Sequence, residues 1–213
     1  MRIPSRTLAA LAVFILAGAA AALPTTYAMT SSAQMSITNL ACSPCTVPVT
    51  GTVTLDDNGA GGVSLTGMSL AHDPYQVALP SFISIVLDRD SIMLNSGSVA
   101  GTGSTLSSVV FGATTLKNTG TVSCISAILT CPSVLGVPDG TYPLPSPVAV
   151  NLGTWVFDGI GGLSASFVYT QLTGANPATE TLFLVGSAVP ETSTGGLVAI
   201  GLLGFAVRRR PAR

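Results

Sequence analysis

The sequence predicts an all-β domain, arranged as an antiparallel β-sandwich or, as the alternative, a small β-barrel. Apolar and hydroxyl residues alternate with period two in segments such as 47–55, which is typical of a strand with one wet face. Turn residues such as the Asp-Asp-Asn-Gly run at 56–59 separate these segments. No segment between the chain ends shows the 3.6-residue period of a helix. Many short strands between turn signals favour a sandwich or a barrel.

The same signals place the elements in order along the chain. Residues 47–55 and 63–70 form a predicted hairpin, and Gly67, where the alternation changes parity, predicts a β-bulge. Four prolines between residues 138 and 147 predict an extended loop. Trp155 is expected in the core. Further strands are predicted at 82–87, 106–111, 121–129, 148–157, 163–171 and 181–185.

The composition of the chain argues against nucleic acid as a partner. The chain is 47% hydrophobic but only 8% charged, far below the usual quarter. Between residues 29 and 188 the cations are Arg89 and Lys117. A nucleic-acid surface needs clustered Lys and Arg. We therefore expect a hydroxyl-rich surface and no nucleic-acid partner.

The N-terminus has the parts of a secretory signal peptide. Arg2 and Arg6 precede an apolar run at 8–22, and small residues lead to Ala28. The predicted signal peptide spans 1–28 with cleavage after Ala28, and cleavage after Ala22 is the alternative. The β domain then covers residues 29–188.

The C-terminus carries a second apolar segment at 195–207, followed directly by Arg208, Arg209 and Arg210. A helix of that length rises about 20 Å, whereas the hydrocarbon core of a bilayer is about 30 Å thick. We predict a short transmembrane helix whose arginines stay on the cytoplasmic side. The protein is then exported to the cell envelope or the extracellular space, with this helix as its membrane anchor.

The order of motifs in this tail resembles the PEP-CTERM sorting signal. Val189, Pro190, Glu191 and Thr192 precede the apolar run and the arginine cluster. The resemblance covers residues 189–213, and Thr192 stands where the family usually has its second proline. It implies a bacterial exported protein that is processed by a membrane protease called exosortase. It also implies association with exopolysaccharide and the biofilm matrix.

Four cysteines, an even number, favour disulfides in an exported protein. The preferred pairing joins Cys42 to Cys45 and Cys124 to Cys131. A redox-active Cys42–Cys45 pair and a four-cysteine zinc site are the alternatives. Neither fits well, because the first pair lies on a strand approach and the spacing of the four matches no standard zinc pattern. We expect no metal and no cofactor.

The sequence offers few groups for catalysis. His72 is the one histidine, so a Ser-His-Asp hydrolase would need it as the base. Asp88 and Asp90 lie at the end of the predicted strand 82–87 and would share one face in a strand, so they could act together as paired carboxylates do in a glycosidase. No Gly-x-Ser-x-Gly elbow is evident. We assign no catalytic residue and expect His72 to be an ordinary loop residue.

Three residues are candidates for ligand contact. Tyr142, in the proline-rich loop, is expected to expose its ring to a sugar, and Asp56 and Asp57 offer oxygen atoms at a turn. The leading prediction is a structural or adhesive protein of the cell surface or extracellular matrix. The first alternative is a carbohydrate-binding module for exopolysaccharide, and the second is a secreted hydrolase.

Overall fold

The computed structural model describes residues 24–38, 45–58, 62–79, 83–126, 140–172 and 177–190 of the chain. These residues form ten strands, all paired with antiparallel neighbours. In chain order they are β1 (Thr25–Ile37), β2 (Thr46–Asp57), β3 (Gly62–Leu79), β4 (Ile83–Leu94), β5 (Val99–Ser104), β6 (Ser108–Ser126), β7 (Gly140–Pro143), β8 (Val148–Phe157), β9 (Gly162–Leu172) and β10 (Ala178–Ala188).

The strands close into one eight-stranded antiparallel barrel. The sheet runs from β2 through β1, β10, β9, β8, β6 and β4 to β3, and β3 pairs back onto β2. Closure satisfies the backbone groups that an open sheet would expose at its edges. The all-β class and the barrel are therefore confirmed, and the two separate sheets of the sandwich are replaced by a single continuous sheet.

Ten strands occupy eight positions because two positions are each shared by two consecutive strands. The long strand β6 pairs with β4 through residues 116–126 and with β5 through residues 108–111. On its other side it pairs with β7 through 121–124 and with β8 through 108–116. In each shared position the two strands run in the same direction. Together they fill one place in the ring, so the ring is closed.

Period-two alternation fills the barrel with apolar side chains. Strand β8 alternates buried and exposed residues almost throughout. Trp155 is fully buried, as predicted from the sequence; its indole N–H donates to the carbonyl of Leu152 at 3.1 Å, and its ring meets that of Phe111 edge-on at 5.2 Å. The interior is a packed hydrophobic core, while hydroxyl residues such as Thr50, Thr52 and Thr170 face outward.

Two local predictions are confirmed. Strands β2 and β3 pair as a hairpin. Thr54 pairs with Gly67 while Leu55 pairs with Leu65, so the register shifts at Gly67, where the sequence predicts a bulge.

Other boundaries were wrong for identifiable reasons. Residues 108–126 form one strand where the sequence predicts two, because β6 needs its full length to pair with four neighbours. The segment predicted as an extended proline-rich loop contains the short strand β7. Pro143 is the last residue of this strand, after three residues that are not proline. Leu106, predicted in a strand, lies in the turn between β5 and β6.

The first strand begins inside the predicted signal peptide. Residues 25–28 of β1 pair with residues 52–55 of β2, and Tyr27 is buried in the core at 4% exposure. Cleavage after Ala28 would remove this buried ring and four paired residues. The alternative cleavage after Ala22 leaves β1 complete.

Several predicted features lie outside the described residues. They are Cys42, Cys131, Glu191, Thr192, the helix at 195–207 and the arginines at 208–210. Within the part of the chain that the structure describes, no helix is long and apolar enough to span a membrane.

Candidate functional site

Both ends of the barrel domain leave at the same rim. Tyr27 near the start of β1 pairs with Ala188 at the end of β10, and the N–H of Val189 donates to the carbonyl of Thr26 at 2.7 Å. The turns at 105–107 and 158–161 lie at this rim too. The N–H of Phe157 donates to the carbonyl of Ser107 at 2.8 Å, and the N–H of Ala188 donates to the carbonyl of Gly161 at 2.7 Å. We call these segments, residues 24–27, 105–107, 158–161 and 188–190, the exit end.

A carboxylate orders the turn between β8 and β9. Asp158 Oδ1 accepts hydrogen bonds from the N–H groups of Ile160 at 2.9 Å and Gly162 at 2.7 Å. These donors favour the charged form, so the pKa of Asp158 lies below its ordinary 3.8. Gly159 and Gly161 adopt φ of 75° and 103°, which a glycine tolerates without strain. The turn therefore has one defined shape, with Ile160 near its tip.

A second carboxylate holds the neighbouring turn. Asp57 Oδ2, at the end of β2, accepts a hydrogen bond from Thr105 Oγ1 at 2.5 Å. Burial, and then the charges of Asp158 and Asp57, raise the pKa of the Tyr27 hydroxyl. Asp57, predicted to contact a ligand, instead orders the exit end, and Asp56 lies half-buried beside it in β2.

Large apolar side chains point into solvent at the exit end. Ile160 is 92% exposed and Leu106 is 78% exposed, while Val189 is 44% exposed. Turn tips usually carry Gly, Asn, Asp or Ser. Exposed Leu and Ile side chains on two ordered turns are therefore unusual.

A polar cluster crosses the barrel interior toward the opposite end. His72 Nε2 of β3 lies 3.2 Å from Glu180 Oε1 of β10. The hydroxyl of Tyr169 on β9 donates to Glu180 Oε2 at 3.0 Å. The His72 ring also lies 5.0 Å from that of Tyr75, centroid to centroid, and its Nδ1 lies 2.7 Å from the carbonyl oxygen of Asp73.

This cluster is buried inside the barrel and is not accessible to a substrate. The side chains of His72 and Glu180 are 1% and 0% exposed. The prediction of a loop histidine was wrong, because His72 lies within β3 and points inward. Asp88 is exposed on β4, so the structure does not bring the two predicted hydrolase candidates to one surface.

A groove runs along β9 on the outer wall. Ser164 and Ser166 form its floor, and Val156 on β8 and Phe183 and Val185 on β10 stand at its sides. Its volume is about 370 Å³. The larger side chains are about half-exposed, so the groove combines apolar walls with hydroxyl groups.

The remaining predicted site residues fall elsewhere. Tyr142 lies on β7, is half-buried and packs against the core, so its expected exposure was wrong. Cys45 and Cys124 are both disulfide-bonded, and the pairing with Cys42 and Cys131 stays a prediction. Both lie at the end opposite the exit end, Cys45 just before β2 and Cys124 near the end of β6.

No protein-family model, curated protein or solved structure matches the chain. Among the described residues there is no group of three His, Cys, Asp or Glu side chains placed to hold a metal ion.

Sequence reasoning missed the polar cluster, although a signal for it exists. Ala178, Glu180, Leu182 and Leu184 share one parity of β10, and all four are buried. A single acid among apolar residues of that parity indicates an inward-facing carboxylate that needs a buried partner. His72, the chain's one histidine, was the natural candidate for that partner.

Replacing Glu180 tests the role of the cluster. Glu180→Ala removes the acceptor of the buried Tyr169 hydroxyl and the carboxylate beside His72, and we expect the free energy of unfolding to fall by about 2–4 kcal/mol. Glu180→Gln keeps the shape and an acceptor oxygen, so its loss is smaller. Urea denaturation at pH 7 measures both, with Thr170→Ala on the exposed face of β9 as the control. A Glu180→Ala variant as stable as the control would contradict a stabilising role.

Proposed function

We propose that this chain is an exported bacterial protein of the cell envelope or extracellular matrix, with a structural or adhesive role. A signal peptide directs its export, and a PEP-CTERM-like tail holds it at the membrane until exosortase-type processing. One observation carries the proposal: both ends of the barrel domain leave from the same rim.

That geometry suits a domain held between two membrane-directed segments. The predicted signal peptide precedes β1, and the predicted membrane helix at 195–207 follows β10. The start of β1 and the end of β10 lie side by side, so both segments reach one bilayer without a linker running along the barrel. The barrel folds on the outer side, and the Arg208–Arg210 cluster stays inside.

Exposure of the first two residues of the proposed sorting motif supports access by a processing enzyme. Val189 and Pro190 come directly after β10, and both are exposed. Proteases act on exposed segments beyond regular structure. The disulfides at Cys45 and Cys124 also favour an oxidising compartment outside the cytoplasm.

The barrel resembles a stable structural scaffold more than a catalytic site. Its interior is packed with side chains, and its polar cluster is closed to solvent. Its outer wall is rich in Ser and Thr with few charges. We therefore propose that position and surface, and not bond-breaking, are what this protein contributes.

Mass spectrometry of both chain ends tests this proposal. In the membrane fraction we expect a form that begins near Leu23, which keeps β1 complete, and that retains Arg208–Arg213. In the culture medium we expect a form that ends before Gly195, because processing removes the helix.

A variant with Arg208, Arg209 and Arg210 changed to Ser is the control, since it should lose retention in the membrane fraction. Full-length chain found soluble in the cytosol with Met1 still attached would contradict the proposal.

A carbohydrate-binding module for exopolysaccharide is the second candidate, and the groove along β9 favours it. A half-exposed Phe183 ring beside the hydroxyls of Ser164 and Ser166 offers an apolar face with hydrogen-bonding groups. The groove replaces Tyr142 as the place where a sugar chain would lie.

Pull-down on purified matrix polysaccharide tests the second candidate. Phe183→Ala removes the ring and should reduce retention about tenfold if the ring contributes about 1.4 kcal/mol to binding. Thr50→Ala, on the exposed face of β2, is the matched control and should not change retention. Equal retention of both variants would exclude the groove as the binding site.

A further inference from the structure

We propose that Leu106 and Ile160 contact the membrane surface, so that the barrel stands end-on upon the bilayer while its tail is uncleaved. The occupant of this apolar patch is lipid: the acyl-chain boundary beneath the headgroups. This inference rests on the proposed membrane anchor and adds an orientation and two contact residues to it.

The two side chains are held outward by ordered turns. Asp158 accepts two backbone hydrogen bonds around Ile160, and Asp57 Oδ2 accepts hydrogen bonds from both the N–H and the hydroxyl of Thr105, next to Leu106. Leu106 N–H also donates to Ser104 Oγ at 3.2 Å. Because the turns are already ordered, contact with a bilayer requires little further loss of conformational entropy.

The tether length keeps this rim near the membrane. Glu191–Thr194 are the four residues between Pro190 and the apolar run that begins at Gly195. An extended chain covers at most about 3.5 Å per residue, so these residues span about 15 Å. The N–H of Val189 donates to the carbonyl of Thr26 at the exit end, and this part of the rim therefore lies within that distance of the start of the proposed membrane helix.

The exit end lacks the positive charge that electrostatic attraction to anionic lipids would need. The described residues of the exit end include no Lys or Arg, whereas Asp158 within it and Asp57, which binds Thr105, carry negative charge. Anionic lipids attract basic segments and repel acidic ones. The contact therefore depends on the apolar tips, and we expect it to be closer on zwitterionic vesicles than on anionic ones.

Tryptophan quenching by brominated lipid tests the orientation. The chain carrying its tail is reconstituted into phosphatidylcholine vesicles with bromine on the acyl chains. Ile160→Trp and Leu106→Trp should each add fluorescence that is blue-shifted and strongly quenched, since Trp favours the interface. Both positions are exposed turn tips, so the substitutions leave the core unchanged.

Two controls set the background. The unsubstituted chain contains one tryptophan, Trp155, which is fully buried. Ser36→Trp places an exposed ring near the far end of β1, about 35 Å along the strand from Thr25, and its fluorescence should be unchanged by bromine. Adding phosphatidylglycerol to the vesicles should reduce the quenching at residues 106 and 160.

The outcomes separate this inference from the proposed function. Chain that stays with the vesicles while the tryptophans at 106 and 160 behave like Ser36→Trp overturns the end-on contact and leaves the anchor standing. Chain that does not stay with the vesicles overturns the anchor, and the inference fails with it. A blue shift without bromine quenching means that a second copy covers the patch, which also overturns the lipid contact.

Discussion

Pairing between the first and last strands is the constraint on which the rest of this structure depends. Strands β1 and β10 pair from Tyr27–Ala188 to Ile37–Ala178. This ladder, with that between β1 and β2, closes the sheet into a ring. Without it the core would face water along two open edges. The same ladder brings both ends of the barrel domain to one rim, so the architecture and the proposed membrane geometry have a common origin.

The interior shows how the register of this ring is specified. Apolar residues fill most inward positions, and a slip of one residue would turn every side chain of a strand to the opposite face. For β10 such a slip would expose Leu182 and Leu184 and would separate Glu180 from Tyr169 and His72. A buried ionisable group that loses its partners is costly. We therefore infer that the cluster helps to specify the register of β10 against β9 and the inward position of His72 on β3.

Sequence patterns predicted the parts of the fold that depend on local information. Strand β8 was predicted with its observed bounds, because its alternation is nearly complete and turn residues precede it. The bulge at Gly67 followed from a change of parity. Strand β1 was missed, because its first residues were assigned to the predicted signal peptide. The choice between barrel and sandwich depends on the pairing of β2 with β3 and of β1 with β10, and the latter joins residues that lie about 150 positions apart in the sequence.

The candidate sites were less predictable for a similar reason. Exposure of Tyr142 was inferred from its proline-rich neighbours, but pairing of β7 with β6 packs the ring against the core. Asp56 and Asp57 suggested a ligand site, yet Asp57 binds Thr105, which lies 48 residues away. The groove and the apolar tips of the exit end arise from strands and turns that meet only in the folded barrel. Residue types alone indicated neither.

Amide hydrogen exchange measured by mass spectrometry tests closure of the barrel most directly. If the β1–β10 seam is integral to the fold, peptides from Thr25–Ile37 and Ala178–Ala188 should exchange as slowly as those from Val148–Phe157, through global unfolding. Fast exchange confined to the two seam strands, with β8 still protected, would show that the barrel opens there and would contradict this account.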